Sequence, residues 1–352
     1  MIDLIEIWYG TLAVMLTVFV VTEGFDIGAG MLQPLVGKTD AERRLVVAAI
    51  GPLWSWHEVW LVGFGGTLMA TFPNILASAF AGFYLAFFLL LWSLVLRGVS
   101  IEVGGRLAEP LWQTAWNFVF VTANVLLAIL IGAALGNIVR GVPLNANGKF
   151  ALAFFTDFKP WGQVGILDWY TVSVAVFVLA TLAAHGATGL VLKTEGPVQE
   201  RSRRLALRLW KVVLGLLVVV TVETYSVRPD LFTGMLHRPF GWLGMAGVFV
   251  GIIAVFMGAA GKRDFPAVAG SIAFVAGLMI AGAAGAFPIM LHSTLAPENS
   301  LSAYQNAAAH HGLAIALVWW PVALLLAVAY FVFIYRDYSG KASPTEDNQN
   351  PY

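Results

Sequence analysis

His57 and Glu58 stand side by side in Gly51-Pro52-Leu53-Trp54-Ser55-Trp56-His57-Glu58-Val59-Trp60-Leu61, at the head of a stretch apolar enough to lie in lipid. Ionisable side chains inside a bilayer are costly and usually mark ion, proton or substrate pathways. Ser55 and Glu58 are three residues apart, and Trp54 and Glu58 four, so a helix puts all three on one face. A carboxyl beside an indole in apolar surroundings suits a group that exchanges protons near neutrality. His57 falls off that face, toward Leu53, Trp60 and Leu61. There it could relay protons, ligate haem or a metal, or bond a neighbouring helix, although one histidine makes no metal site by itself.

Three more carboxylates stand close to the same membrane face. Glu23 and Asp26 close the first apolar stretch, in Thr22-Glu23-Gly24-Phe25-Asp26-Ile27-Gly28-Ala29-Gly30, and Glu102 follows the third, just past Arg97. With Glu58 they form a series of graded depth, Glu102 at its mouth, able to take up protons. The plainer reading makes Glu23, Asp26 and Glu102 solvated or salt-bridged helix ends. It fits Glu58 least, since that carboxylate lies in lipid.

The elements that must position these groups are membrane helices. The 352 residues are 59% hydrophobic and only 11% charged, against about 25% charged in a soluble domain. Lys+Arg and Asp+Glu both number 20, and no basic stripe exists to neutralise phosphates, which argues against nucleic acid. The absence of cysteine excludes disulfides, thiolate metal sites and iron–sulfur clusters. The first residues, Met1 to Glu6, carry no Lys or Arg, so the first apolar stretch reads as a permanent helix rather than a cleaved signal.

A span needs about 20 apolar residues. The sequence predicts nine, near 5–25, 46–71, 75–97, 114–137, 166–192, 206–225, 239–261, 266–290 and 311–335. The predicted fold is all-α: one transmembrane domain, 1–336, followed by a polar tail, 337–352. Only Arg140, Lys149, Lys159, Arg228 and Arg238 fall on the side of the even-numbered connections; the other 15 of the 20 cations fall on the side of the odd-numbered ones. The positive-inside rule then puts the N-terminus outside and the C-terminus in the cytoplasm. The longest external connection is 138–165, and no internal repeat is visible in the sequence.

Other residues read as structural. Small neighbours around His185, in Ala184-His185-Gly186-Ala187-Thr188-Gly189, suit close helix packing. His292, His310 and His311 lie at the outer border, and His237 lies in a loop. The glycine patches at 24–30 and 62–66 lack the Lys-Ser/Thr and strand context of a phosphate cradle. They suit close contact with another membrane subunit. Most of the 13 tryptophans, with Tyr170, Tyr225, Tyr330 and Tyr335, are assigned to interfacial belts. No Ser-His-Asp or zinc-hydrolase pattern is present.

Four segments together resemble subunit II of the cytochrome bd-type quinol oxidases. Gly24-Phe25-Asp26-Ile27-Gly28-Ala29-Gly30-Met31-Leu32 is similar to that family's glycine-rich first signature. Gly51-Pro52 with Trp54 and Glu58-Val59-Trp60-Leu61 resembles its second. Gly136-Asn137-Ile138-Val139-Arg140-Gly141-Val142-Pro143 resembles its third. Phe287-Pro288, Ser293-Thr294-Leu295, Ser300-Leu301 and Asn306-Ala307 are similar to the segment before its last helix.

The resemblance implies a partner, a homologous nine-helix subunit I holding two b-type haems, one d-type haem and the quinol-oxidising loop. It implies a complex that reduces O₂ to water with electrons from quinol, in a bacterial or archaeal cytoplasmic membrane. Subunit II is then haem-free. It supports the partner, contributes to proton uptake from the cytoplasm and can hold a structural quinone among the membrane lipids. Glu58 and Glu102 map onto polar positions of that route, and Trp54 onto a tryptophan near it. Small accessory subunits are left open.

One departure stands out. Where the family reads Trp-Asp-Gly-Asn-Glu, this chain reads Trp54-Ser55-Trp56-His57-Glu58. Either the proton route is rebuilt, which is the preferred expectation, or this subunit belongs to a divergent bd-like branch with altered chemistry, such as a complex that no longer reduces O₂. A proton-coupled secondary transporter is the alternative from a different class. Transporter sites usually lie at mid-membrane in helices broken near Gly or Pro, whereas Pro52 and Pro288 stand near span ends.

Overall fold

With no water in the bilayer core, a chain this apolar must satisfy its backbone polar groups internally, and helices do so segment by segment. The structure, a computed structural model, describes residues 3–338 and 340–342. Thirteen helices follow in order: α1 Leu4–Val36, α2 Asp40–Ile50, α3 Trp54–Thr71, α4 Pro73–Gly82, α5 Tyr84–Gly104, α6 Pro110–Arg140, α7 Trp169–Lys193, α8 Gly196–Val227, α9 Pro229–Leu236, α10 Pro239–Ala260, α11 Asp264–Ala286, α12 Ala303–Asn306 and α13 His310–Asp337. Two short strands, β1 Ile289–Leu291 and β2 Leu301–Ser302, pair antiparallel between α11 and α13.

Among the described residues, eight helices are long and apolar enough to cross a membrane, and α2 with α3 supplies a ninth span bent by 42°. The second span, expected as one helix over 46–71, is therefore broken at Gly51-Pro52-Leu53. The 18 residues of α3 rise about 27 Å at ~1.5 Å each. Trp8 near the head of α1 donates to the Leu313 carbonyl near the head of α13 (3.2 Å). Tyr335, close to the tail of α13, meets the start of α3. The two ends of the chain thus lie at opposite ends of the bundle.

Several predicted boundaries move: the third span is broken at Phe83 into α4 and α5, α8 starts ten residues earlier than predicted, and two of the shifts matter for the site. α1 runs on to Val36 rather than stopping at 25, and α5 runs on to Gly104 rather than 97. Hydropathy marks where lipid ends, not where a helix ends. Beyond the lipid these helices continue because neighbouring helices cover them. Most of the predicted tail, 337–352, lies outside the described residues. Its start folds back, with the Ala342 amide donating to the Lys193 carbonyl (2.7 Å) and Lys341 Nζ 3.4 Å from Glu195.

α7 is the most enclosed span and α1 lies directly against it. At their crossing, a methyl on Gly28 would run into the Leu182 carbonyl, and one on Gly186 into the α1 backbone. The 24–30 glycine patch is thus filled by α7 of the same chain and is not free for a partner. A methyl placed on Gly65 or Gly66 would meet nothing within 4 Å, so that patch stays open. Gly28→Leu is therefore expected to abolish accumulation of the folded subunit, whereas Gly65→Leu leaves it intact. Yield and thermal midpoint of the detergent-extracted subunit measure both, and a folded Gly28→Leu variant would refute the packing argument.

Candidate proton-transfer site

Glu23 and Asp26 are three residues apart and share a face of α1. The extension of α1 to Val36 puts Asp26 ten residues, or about 15 Å, inside the helix end. Both carboxylates are wholly buried, so of the plainer reading's two forms the solvated one does not apply and the salt-bridged one does. Charges this deep need partners, and the structure supplies two. Arg97 of α5, itself 0% exposed, ion-pairs with Glu23 through Nη1 and reaches Asp26 through Nη2 at 3.7 Å. His57 at the start of α3 places Nδ1 2.7 Å from Asp26 Oδ2.

Two further groups complete the cluster. Glu58 Oε1 lies 3.9 Å from Arg97 Nη1, and the Glu58 side chain is 23% exposed. The Tyr335 hydroxyl of α13 sits 2.6 Å from His57 Nε2. Four helices therefore converge on one ionic centre with three carboxylates, one guanidinium and one imidazole. Arg97 thus faces all three carboxylates from one guanidinium.

Glu23, Asp26 and His57 also bring ligand atoms within 4.8 Å of one another, close enough for a metal ion. Arg97 already contacts both carboxylates, however, and supplies the positive charge an ion would bring.

The other predicted residues fall around this centre. Trp54 packs its ring on α5 at Gly98, beside Arg97. Ser55 is exposed on the outer face of α3, on the turn next to Glu58. Glu102 is half-buried, further along α5 from Arg97. His185 has both ring nitrogens engaged, with Ser271 Oγ and the Val21 carbonyl at 2.9 Å each, and holds α7 to its neighbours.

Arg97 and Tyr335 are site residues that sequence reasoning does not single out. Arg97 stands at the end of a predicted span, among the loop cations. Tyr335 reads as part of an interfacial belt. One signal points to the first: three carboxylates in or near lipid require a cation at similar depth, and Arg97 closes a predicted span five residues before Glu102.

A sequence profile described as cytochrome bd terminal oxidase subunit II matches residues 4–337. The chain belongs to that family. It is 28% identical over 371 residues to a probable cytochrome oxidase subunit 2 of Haemophilus influenzae, covering 98% of this chain and 97% of the relative. It is 26% identical over 374 residues to the cytochrome bd-I ubiquinol oxidase subunit 2 of Escherichia coli, with the same coverage. The bd oxidase structure from Geobacillus thermodenitrificans contains a chain of the same fold, at TM-score 0.75 and 16% identity, covering 96% of this chain and 99% of that one. This protein is thus a multi-pass membrane subunit of a bd-type terminal oxidase, an oxidoreductase of the respiratory chain.

Family membership gives the signatures a physical reading. The third signature and the segment before the last helix, some 150 residues apart, fold together at the end of the bundle opposite the cluster. The Val142 amide donates to the His292 carbonyl (2.9 Å), and Ser293 Oγ donates to the Leu144 carbonyl (2.9 Å). Arg140 ion-pairs with Asp168, whose carboxylate caps α7. These segments are scaffold. The first and second signatures contribute Asp26 and Glu58 to the ionic cluster. Within the second, Trp56 stands where the family has glycine and seats its ring on Tyr330 of α13 (centroids 4.6 Å apart). His57, where the family has asparagine, bonds Tyr335 one turn further along α13.

Proposed function

We propose that this chain is the haem-free subunit of a quinol:O₂ oxidoreductase of the bacterial cytoplasmic membrane. In this reading it pairs with a homologous haem-bearing subunit I and carries protons from the cytoplasm toward it. The observation behind the proton role is the burial of Glu23, Asp26, His57 and Arg97 in one contact network, with Glu58 at its partly exposed edge. A buried ionic cluster is weak as a source of stability. Intramembrane carboxylates linked to histidine are well suited to proton relay.

The haem-free reading rests on ligand chemistry. Both nitrogens of His57 and both of His185 are already hydrogen-bonded, so neither offers a lone pair to iron. The haems that the family implies would be held by the partner. The orientation rests on the distribution of Lys and Arg. It places the end of α13, and with it the Tyr335 side of the cluster, toward the cytoplasm.

The test is co-expression with a haem-bearing subunit I of the family. The pair should copurify, show b- and d-type haem absorption and consume O₂ with quinol. The subunit made alone should be folded and colourless. Stoichiometric haem in the isolated subunit, or a haem-bearing pair without quinol-dependent O₂ uptake, would count against the assignment. Compartment-specific reporters on the two termini should give opposite sides, with the C-terminus cytoplasmic.

A further inference from the structure

The cluster has two ends that differ in what they meet. Glu58 is its exposed edge on one side. On the other, His57 is 2% exposed and Asp26 0%, so neither touches solvent, whereas Tyr335, bonded to His57 Nε2, is 39% exposed. An open cleft of about 230 Å³ is cut into the tail end of the bundle, lined by α13 residues just beyond Tyr335. Its walls include Pro52 and Leu53 at the α2–α3 break, Asp337 and Tyr338 at the end of α13, and Lys193 and Lys341. Leu53 lies four residues before His57, whose amide donates to its carbonyl (3.1 Å), and Tyr338 lies three after Tyr335. The cleft floor is therefore one helical turn from the Tyr335–His57 bond on both helices. Its volume accommodates several waters, and its charged walls make it polar enough to hold them.

We infer that this cleft is the cytoplasmic mouth of the subunit's proton route, and that Tyr335 is the relay residue joining it to the buried His57–Asp26 pair. The inference rests on the proton-uptake reading above and names where uptake begins. A hydrated proton in the cleft is accepted by the Tyr335 oxygen as the tyrosine's own O–H proton passes to His57 Nε2. The Nδ1 proton of the imidazole then passes to the Asp26 carboxylate. One proton enters and one arrives, no heavy-atom bond changes, and tyrosine never needs to ionise. The imidazole is left as its other tautomer and resets by turning over. Arg97 keeps its proton throughout and holds Asp26 and Glu58 on adjacent nitrogens. The α2–α3 break has a function in this scheme. A continuous helix would fill the space that Gly51-Pro52-Leu53 leaves open beside α13.

The experiment uses the complete complex. Tyr335→Phe keeps the ring and removes one oxygen. Ala48→Phe, on the cleft wall, fills the mouth without touching the cluster. Each is expected to slow O₂ reduction by at least ~10-fold, less than the roughly 10²–10⁴ of a general acid–base group because stray water can bridge part of the gap. Haem content should be unchanged, the solvent deuterium isotope effect raised, and proton uptake from a lightly buffered medium delayed. Wild-type turnover and uptake in Tyr335→Phe across pH 6–9 would overturn the inference. If that variant does not assemble, wild-type kinetics in Ala48→Phe would overturn it instead. Glu58→Gln is run in parallel. If it is slow while Tyr335→Phe is normal, the uptake reading stands and this mouth is wrong. If both are normal, both readings fall. If only Tyr335→Phe is slow, the mouth is supported and protons leave the cluster by a path other than Glu58.

Discussion

Arg97→Met is expected to remove the subunit from the membrane almost completely. Methionine matches the length and apolar character of the arginine stem but leaves Glu23 without its ion-pair partner, and Asp26 and Glu58 without a neighbouring cation. Breaking a buried pair by deleting one member costs about 3–5 kcal/mol, because the remaining charge is uncompensated. Net stabilities are only about 5–15 kcal/mol, so one such loss brings the fold near its limit. Arg97→Lys should be intermediate. A lysine ammonium is a compact point charge and cannot reach three carboxylates from two nitrogens as the guanidinium does. Adding Glu23→Met to Arg97→Met should restore part of the yield, since Asp26 still has His57 at 2.7 Å. Subunit recovered after detergent extraction, together with its thermal midpoint, measures all three. Wild-type yield and midpoint in Arg97→Met would show that the cluster does not hold these helices together.

The spans are legible in the sequence because their signal is local: about twenty apolar residues per crossing, repeated nine times. The reading fails where local signal and tertiary structure diverge. Phe25 ends the first predicted span because Asp26 and the glycines after it lower hydropathy. The helix runs through them, since those glycines let α7 approach to backbone contact. Arg97 ends the third predicted span for a similar reason. A charge after twenty apolar residues reads as the water boundary, and only the fold shows that it turns inward to meet Glu23. The break at Gly51-Pro52-Leu53 is visible as residues but not as geometry.

The candidate site is half legible. Glu23, Asp26, His57 and Glu58 are singled out by cost alone: charges in lipid demand a reason. That they belong together is not visible, because residues 23, 26, 57, 97 and 335 are distant in sequence and meet only through packing of α1, α3, α5 and α13. The two departures from the family pattern at Trp56 and His57 likewise look unrelated in sequence. In the fold they act on one neighbour. Trp56 seats against Tyr330 and His57 bonds Tyr335, five residues on along the same helix.

Glu58→Gln tests that route at its other end. Glutamine keeps the size and much of the hydrogen bonding of glutamate at a position only partly buried in this chain, so assembly and haem content should match wild type. What is lost is the ability to take up and release a proton. A relay group in general acid–base chemistry is worth roughly 10²–10⁴-fold, and a parallel water path would soften that. O₂ consumption with quinol should therefore fall by between one and several orders of magnitude. The neighbouring turn offers a rescue. Ser55 occupies the position where the family has aspartate, on the same outer face one turn from Glu58, about 4.5 Å along the axis. Ser55→Asp in the Glu58→Gln background should recover part of the activity, because it puts a carboxylate back on the same helix face. The rescue separates a lost proton carrier from a lost contact, since aspartate at 55 cannot replace a contact made at 58. Turnover equal to wild type for Glu58→Gln across pH 6–9 would make Glu58 structural, and protons would then pass to the partner from the His57–Asp26 pair directly.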